Sequence, residues 1–200
     1  MSRLKVLFIA GWYPSKKNPV TGVFVKEHAK AASLYNDIVV LSSEVMDRSV
    51  RGLYHIEDNI EDGLRTLRLH YRRFPIPKIS YFVYLWGMLA AFRKLVQEGW
   101  RPNVIHAHVY SAGVPAVLIG KRHRIPVIIT EHSTAFPCGL IRGLDKMAAK
   151  FAFEQADLVC PVSEDLKRHI ESYDIQARFH VLPNLTSAKP SLPDEIFGRL

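Results

Sequence analysis

Three short stretches of this 200-residue chain carry side chains able to do chemistry. Thr130-Glu131-His132 ends an apolar run, where an imidazole can donate to, or position, a ligand hydroxyl or phosphate. A histidine there also serves structure alone if it bonds a loop carbonyl. His106-Ala107-His108 ends a second such run. Alternate residues of a strand point the same way, so the two rings share a face. Two histidines could begin a metal site, but no third ligand stands at a telling spacing. That leaves His108 a hydrogen-bonding role at the strand's mouth and His106 a packed, satisfied one. The third stretch is the loop 11–22, with Lys16, Lys17 and a glycine, Gly22, at a helix entrance. Free N–H groups at a helix start favour an anion, and glycine lets it come close; an ordinary turn would use the glycine equally well. The loop contains neither G-x-G-x-x-G nor a Walker A sequence, which disfavours a dinucleotide cofactor.

These stretches are positioned by an alternation of short apolar runs and helical patterns. Residues 5–10 (KVLFIA) form a continuous apolar run closed by Gly11, the pattern of a strand buried on both faces. Residues 23–35 have helical spacing, with Val25, Ala29 and Ala32 on one face. A buried strand follows at 37–41, then strands at 55–60 and 64–71 joined near Asp62-Gly63, a tight-turn dipeptide. In the latter, Leu67, Leu69 and Tyr71 alternate with Arg68, His70 and Arg72, one face apolar and one basic. Helices are expected at 80–97, 111–123 and 140–155, the last with Ile141, Leu144, Ala148 and Phe151 on its inner face. Between and after them lie strands 104–108, 126–130, 157–161 and 180–182. Ser163 is the expected N-cap of a short helix, with Glu164 and Asp165 favouring its dipole. The alternation predicts an α/β, Rossmann-like, doubly wound and mostly parallel sheet with helices on both faces. Ligands of such sheets bind outside the carboxyl ends of the strands, where all three stretches lie.

Apolar residues make up 48% and charged residues 23%, the balance of one globular domain. The net charge of +8 is uneven: residues 63–101 hold eight Lys or Arg and one acid, Glu98. Such a field attracts phosphates, anionic lipid or nucleic acid, or is simply a solvated surface. No recognised nucleic-acid-binding signature is present, so a nucleic-acid partner is not expected. Cys138 and Cys160 do not make a disulfide framework, which predicts a reducing, cytoplasmic setting. The first apolar run is too short for a signal peptide. Residues 81–92 (YFVYLWGMLAAF), twelve in number, are too few to span a bilayer. They read as a core helix covered by neighbours; the alternative is an interfacial helix, since Arg93 and Lys94 follow. Residues 185–200, with Pro190, Ser191 and Pro193 and no complete element, read as a linker beyond a domain of residues 1–184.

In order, these pieces resemble the N-terminal domain of the family 4 retaining glycosyltransferases of the GT-B fold, over residues 4–184. The marks are Tyr13-Pro14 after the first strand, Gly22-Val-Phe-Val-Lys-Glu-His28, Val104-Ile-His-Ala-His108 and Pro126-Val-Ile-Ile-Thr-Glu-His132. Ala156-Asp-Leu-Val159, Val162-Ser163 and Val181-Leu-Pro-Asn184 complete them. The resemblance implies transfer of a sugar from a nucleotide-sugar donor to an acceptor with retention of configuration, without a metal or a cofactor. It implies that this half shapes the acceptor site and that a C-terminal domain, absent here, holds the nucleotide. By the same resemblance the loop ending Thr21-Gly22 lies against the donor diphosphate or acceptor. His132 is then the catalytic residue facing the transferring sugar, with His108, Ser163 and Asn184 lining the substrate cleft or hinge.

Departures are visible. Thr21 stands where paired glycines are common, and Leu185-Thr186 follow Asn184 in place of Gly-Val. The two glutamates with seven residues between them that mark the family's donor site are missing. These 200 residues are therefore expected to be inactive alone. Their partners would be a nucleotide sugar, a carbohydrate or lipid-linked acceptor, and an anionic membrane in peripheral contact at its inner face. The alternative is a free-standing acceptor-binding or membrane-docking subunit that needs a separate catalytic chain.

Overall fold

The computed structural model of the chain describes residues 3–46 and 51–183. Strand β1 (Lys5–Ala10) is buried from Val6 onward, as its unbroken apolar run requires. It lies between β2 (Asp37–Val45) and β5 (Val104–His108), parallel to both. Strands β3 (Tyr54–Glu61), β4 (Leu64–Tyr71), β6 (Val127–Glu131) and β7 (Leu158–Pro161) complete a seven-stranded sheet ordered β3-β4-β2-β1-β5-β6-β7. Every pairing is parallel except β3 with β4. That hairpin turns at Asp62 and Gly63, whose φ values of 49° and 81° are the left-handed pair a two-residue turn demands. The chain builds outward from β1 on one side, then returns to build outward on the other. The switch in order therefore falls between β1 and β5.

Helices cover both faces unequally. Helix α1 (Val23–Ser33) packs Val25 and Ala29 onto Val6, Phe8, Ile38 and Val40. Helices α2 (Pro77–Gln97), α3 (Tyr110–His123), α4 (Gly143–Gln155) and α5 (Glu164–Glu171) share the larger core on the opposite face. Helix α2 starts three residues before the expected Ser80, with proline in its first turn. Ser80 instead bonds the backbone of Phe74, accepting from its N–H at 2.7 Å and donating to its carbonyl at 3.1 Å.

The inner face of α4 differs from the expected one. Leu144 and Phe151 are 54% and 38% exposed, while Ala149, Ala152 and Phe153 are buried. Close approach to α3 is the cause: a Cβ added at Gly113 would sit 3.0 Å from the Ala152 methyl. At that crossing Ala152 is small because nothing larger fits. Ile141 is buried, but in the preceding loop. The expected strand at 180–182 is replaced by a single bridge between Phe179 and Val159, extended by bonds from His180 and Leu182 to Val159 and Pro161 carbonyls.

The concentrated positive charge is partly neutralised. Antiparallel pairing lays the acids of β3 against the bases of β4 and α2. Arg68 holds Glu61 with two bonds of 2.6 Å, and Arg65 holds Asp58 at 2.6 Å and also Glu98. Lys94 bridges Asp58 and Glu98. Arg73, Lys78 and Arg93 are exposed and enter no ion pair among the described residues.

Candidate functional site

Four histidine rings gather where the strand order switches. His106 and His108 leave the same face of β5 with centroids 4.4 Å apart. His28 of α1 stands edge-on to both, at 5.3 and 5.4 Å. Phe8 of β1 lies against the pair at 5.0 and 5.2 Å. His132, one residue beyond β6, is edge-on to His108 at 5.7 Å. Phe24 and Trp12 in turn meet His132 edge-on, at 4.1 and 6.1 Å. The structure thus brings His108 and His132 together and sets the β1–α1 loop beside them.

Burial keeps this cluster uncharged. Desolvation, reinforced by neighbouring imidazoles, lowers His106 to about 3 and His132 to about 4, and holds His108 well below its ordinary range. His28 is lowered by desolvation alone. A neutral imidazole carries one donor and one acceptor. His106 spends one of them on Thr130 Oγ1, 2.7 Å away, and is packed and satisfied as expected. His108 is 1% exposed, and neither of its ring nitrogens has a partner; the Nε2 of His132 is likewise buried and unpaired. The hydrogen-bonding role expected of His108 is therefore not spent on protein. Polar atoms left this way cost roughly 1–3 kcal/mol each, which a hydrogen-bonding ligand would relieve. Among the described residues no group of three or more His, Cys, Asp or Glu is arranged to hold a metal.

Glu131 organises the turn that carries His132. It is fully buried, and its carboxylate accepts from the N–H groups of Tyr110 at 2.8 Å, His132 at 3.0 Å and Ser133 at 2.8 Å. Tyr110 opens α3, so one side chain both caps that helix and fixes the loop. Burial pushes the carboxyl up to about 7 even against these three donors. At the same junction Val109 has φ 66° and ψ 153°, a β-branched residue in a region it seldom adopts. Its N–H donates to the Thr130 carbonyl, which holds the strained turn in place.

Gly22 has a backbone reason to be glycine, in keeping with the turn reading that its position also allowed. Its φ is 74°, and a Cβ there would lie 2.3 Å from the Trp12 carbonyl oxygen. The close approach is to protein backbone. Replacing Gly22 with alanine should cost about 2 kcal/mol or more and displace Trp12 from His132, as urea denaturation and tryptophan fluorescence would show. The loop is also clamped by Arg68, which donates to the Pro14 carbonyl at 2.5 Å and lies over the Tyr13 ring. Thr21 is exposed on this loop. Ser163 accepts from the Leu166 N–H at 3.1 Å, the helix cap expected of it. Asn184 and the expected linker at 185–200 lie outside the described residues.

Sequence reasoning missed Glu131, His28, Phe24 and Trp12 as site residues. Phe24 and His28 are spaced i, i+4 on one helix, a visible sign that both look the same way. Glu131 had a fainter one, an acid without a basic neighbour at the end of a buried strand.

A largely parallel, doubly wound sheet with its polar cluster at the switch point defines a Rossmann-like domain of the GT-B type. The glycosyl transferase 4-like domain model matches residues 37–185, and the chain belongs to that family. No curated protein matches it. A sucrose-phosphate synthase from Thermosynechococcus elongatus superposes with a TM-score of 0.61 at 16% identity, over 90% of this chain and 48% of that one. HepE from Anabaena, solved with UDP-glucose, gives 0.60 at 14% identity, over 92% and 44%. A UDP-N-acetylglucosamine 2-epimerase from Rickettsia bellii gives 0.56 at 13% identity, over 89% and 44%. At these identities the likeness is one of fold, which transferases and epimerases share, so the family assignment rests on the domain model. The chain spans about half the length of each of these three structures.

Proposed function

We propose that this chain is the acceptor-side half of a retaining glycosyltransferase that moves a sugar from a nucleotide-sugar donor to a carbohydrate or lipid-linked acceptor. The observation that carries the reading is His132: a neutral, aromatic-flanked imidazole with an unspent nitrogen, beside the unpaired His108, at the switch point of the sheet. A neutral ring there can hold and orient a sugar hydroxyl without repelling the positive charge that develops at the transferring carbon. Trp12 and Phe24 keep water from that ring, and Glu131 fixes its backbone. The UDP-glucose of HepE and the UDP-sugar in the epimerase's name agree with a nucleotide-sugar donor.

In this reading residues 1–184 form the domain and 185–200 lead toward a second domain that binds the nucleotide. The chain alone is then inactive, because it lacks the spaced glutamates of a donor site. The donor is a substrate, and neither a metal nor a further cofactor takes part. Free thiols at Cys138 and Cys160 agree with action in the cytoplasm.

His132→Ala in the complete enzyme should lower turnover by roughly 100-fold or more while donor affinity changes by no more than about twofold. The assay uses a panel of nucleotide sugars and reads the products. Unchanged turnover would remove His132 from the mechanism. An epimerised nucleotide sugar without transfer would reassign the activity.

A further inference from the structure

Helix α2 was expected to be covered by its neighbours, and only half of it is. Val83, Tyr84, Gly87, Met88, Ala91, Phe92 and Leu95 are buried. On the opposite side Ile79, Phe82, Trp86 and Leu89 are 42%, 64%, 57% and 37% exposed. Their spacing, with Lys78 before and Arg93 after, places all six side chains within roughly a 100° arc of the helix surface. The Phe82 and Trp86 rings touch, with centroids 6.1 Å apart.

Helix α4 adds to the same side of the molecule. It lies across α3 from α2, and its Leu144 and Met147 are 54% and 68% exposed. Asp145 is close enough to influence both Tyr81 of α2 and Tyr110 of α3, so the three helix starts converge.

We propose that the exposed stripe of α2 docks this domain on a bilayer containing anionic lipid. The proposal rests on the glycosyltransferase reading and narrows it to an acceptor presented at a membrane surface. Charge chooses the occupant: Lys78 and Arg93 in the stripe, and Arg73 just before the helix, enter no ion pair among the described residues. Aromatic rings seat in the headgroup layer while lysine and arginine meet lipid phosphates, the pattern of a helix lying in the interface. By length and composition α2, with 21 residues and an 18-residue stretch of mean hydropathy 1.2, could cross a membrane. Its other face is locked into the core, so the helix lies along the bilayer. Because β4 runs parallel to β2 and β1, α2 begins at the sheet edge that carries His132. Docking along α2 therefore leaves that end of the sheet beside the lipid surface, with the histidine cluster on the face away from α2.

The test is co-sedimentation of the full-length protein with phosphatidylcholine vesicles, alone or with roughly a third phosphatidylglycerol, at low and high salt. Binding to the anionic vesicles is expected, weakened at least about tenfold by Phe82→Ser with Trp86→Ser, and also by Lys78→Glu with Arg93→Glu. These positions are exposed, and unchanged thermal melting will confirm that the variants fold. Absence of binding by the parent protein, or undiminished binding by both double variants, overturns the proposal. So does a dimer in sedimentation velocity that the same substitutions dissolve, which would assign the stripe to a second copy. Transfer to a water-soluble acceptor separates the two readings. Docking variants should leave it intact, whereas vesicle binding without transfer to any acceptor would defeat the proposed function alone.

Discussion

Glu131→Ala should destabilise the domain by about 3–5 kcal/mol, more than removing any single ring of the histidine cluster. The side chain is fully buried and answers three backbone donors from two elements. Alanine leaves those N–H groups unpaired where water has little access, and each unmet donor costs roughly 1 kcal/mol or more. The strained Val109 turn loses support as well, because the bond to Tyr110 anchors the residue that follows it. Glu131→Gln should cost less, since its carbonyl oxygen keeps accepting while its amide turns a donor toward another donor. Urea denaturation of the domain measures both variants. In the complete enzyme Glu131→Ala should also depress turnover, through displacement of His132. An alanine variant within about 1 kcal/mol of the parent would show that the loop is held by other contacts.

The sheet was the most legible part of the structure, for a physical reason. Parallel strands buried on both faces must read as unbroken apolar runs, and β1 and β5 match their runs residue for residue. Hairpin strand β4 was equally plain, because alternation and the Asp62-Gly63 turn agree. Helix faces were harder to read. Hydrophobic size marked Leu144 and Phe151 of α4 as core, while the space beside Gly113 admits only a small side chain at Ala152. Closeness of helix packing is a tertiary quantity, and no local pattern contains it. The charge of residues 63–101 was legible as a total and not as a distribution. Their partners Asp58 and Glu61 precede the stretch in sequence and meet it only through strand pairing.

The site was legible as positions and not as roles. His108 and His132 were located from strand ends alone, and they do meet. Gly22 was read as a place for an anion or as an ordinary turn, and its lack of a side chain admits the Trp12 carbonyl. Glu131 went unassigned because its work is done on backbone N–H groups, which sequence does not display. The polar residues most tightly bonded in this region, Glu131 and His106, are the ones whose bonds end within the protein. His108 and His132 keep theirs open.

Acid should dismantle this arrangement, and the sign follows from the histidines. In the unfolded chain each takes up a proton near pH 6.5, whereas in the folded domain His106 resists until about 3 and His132 until about 4, with His108 also well below 6.5. As pH falls below 6.5 the unfolded state binds more protons, so stability present above that value is progressively lost. His106 alone corresponds to a loss on the order of 5 kcal/mol over its window. Glu131 opposes the trend. Its folded value of about 7 lies above the ordinary 4.5, so its contribution is full below pH 4.5 and is lost as pH rises through 7. One carboxyl returns on the order of 3 kcal/mol against losses at three imidazoles, so the histidines win. A domain with a total stability of about 5–15 kcal/mol should then unfold, or open around the cluster, between pH 6 and roughly pH 4. Urea midpoints measured from pH 7.5 to 4.5 will show the slope. His108→Leu, which keeps an apolar ring-sized filling, should flatten it by up to about 1.4 kcal/mol per pH unit. A level profile in the parent, or an unaltered slope in His108→Leu, would mean that these rings are protonated in the folded domain after all. If the slope is as expected, loss of turnover below pH 6 reports the opening of the site, because His132 in the closed site stays neutral to about pH 4.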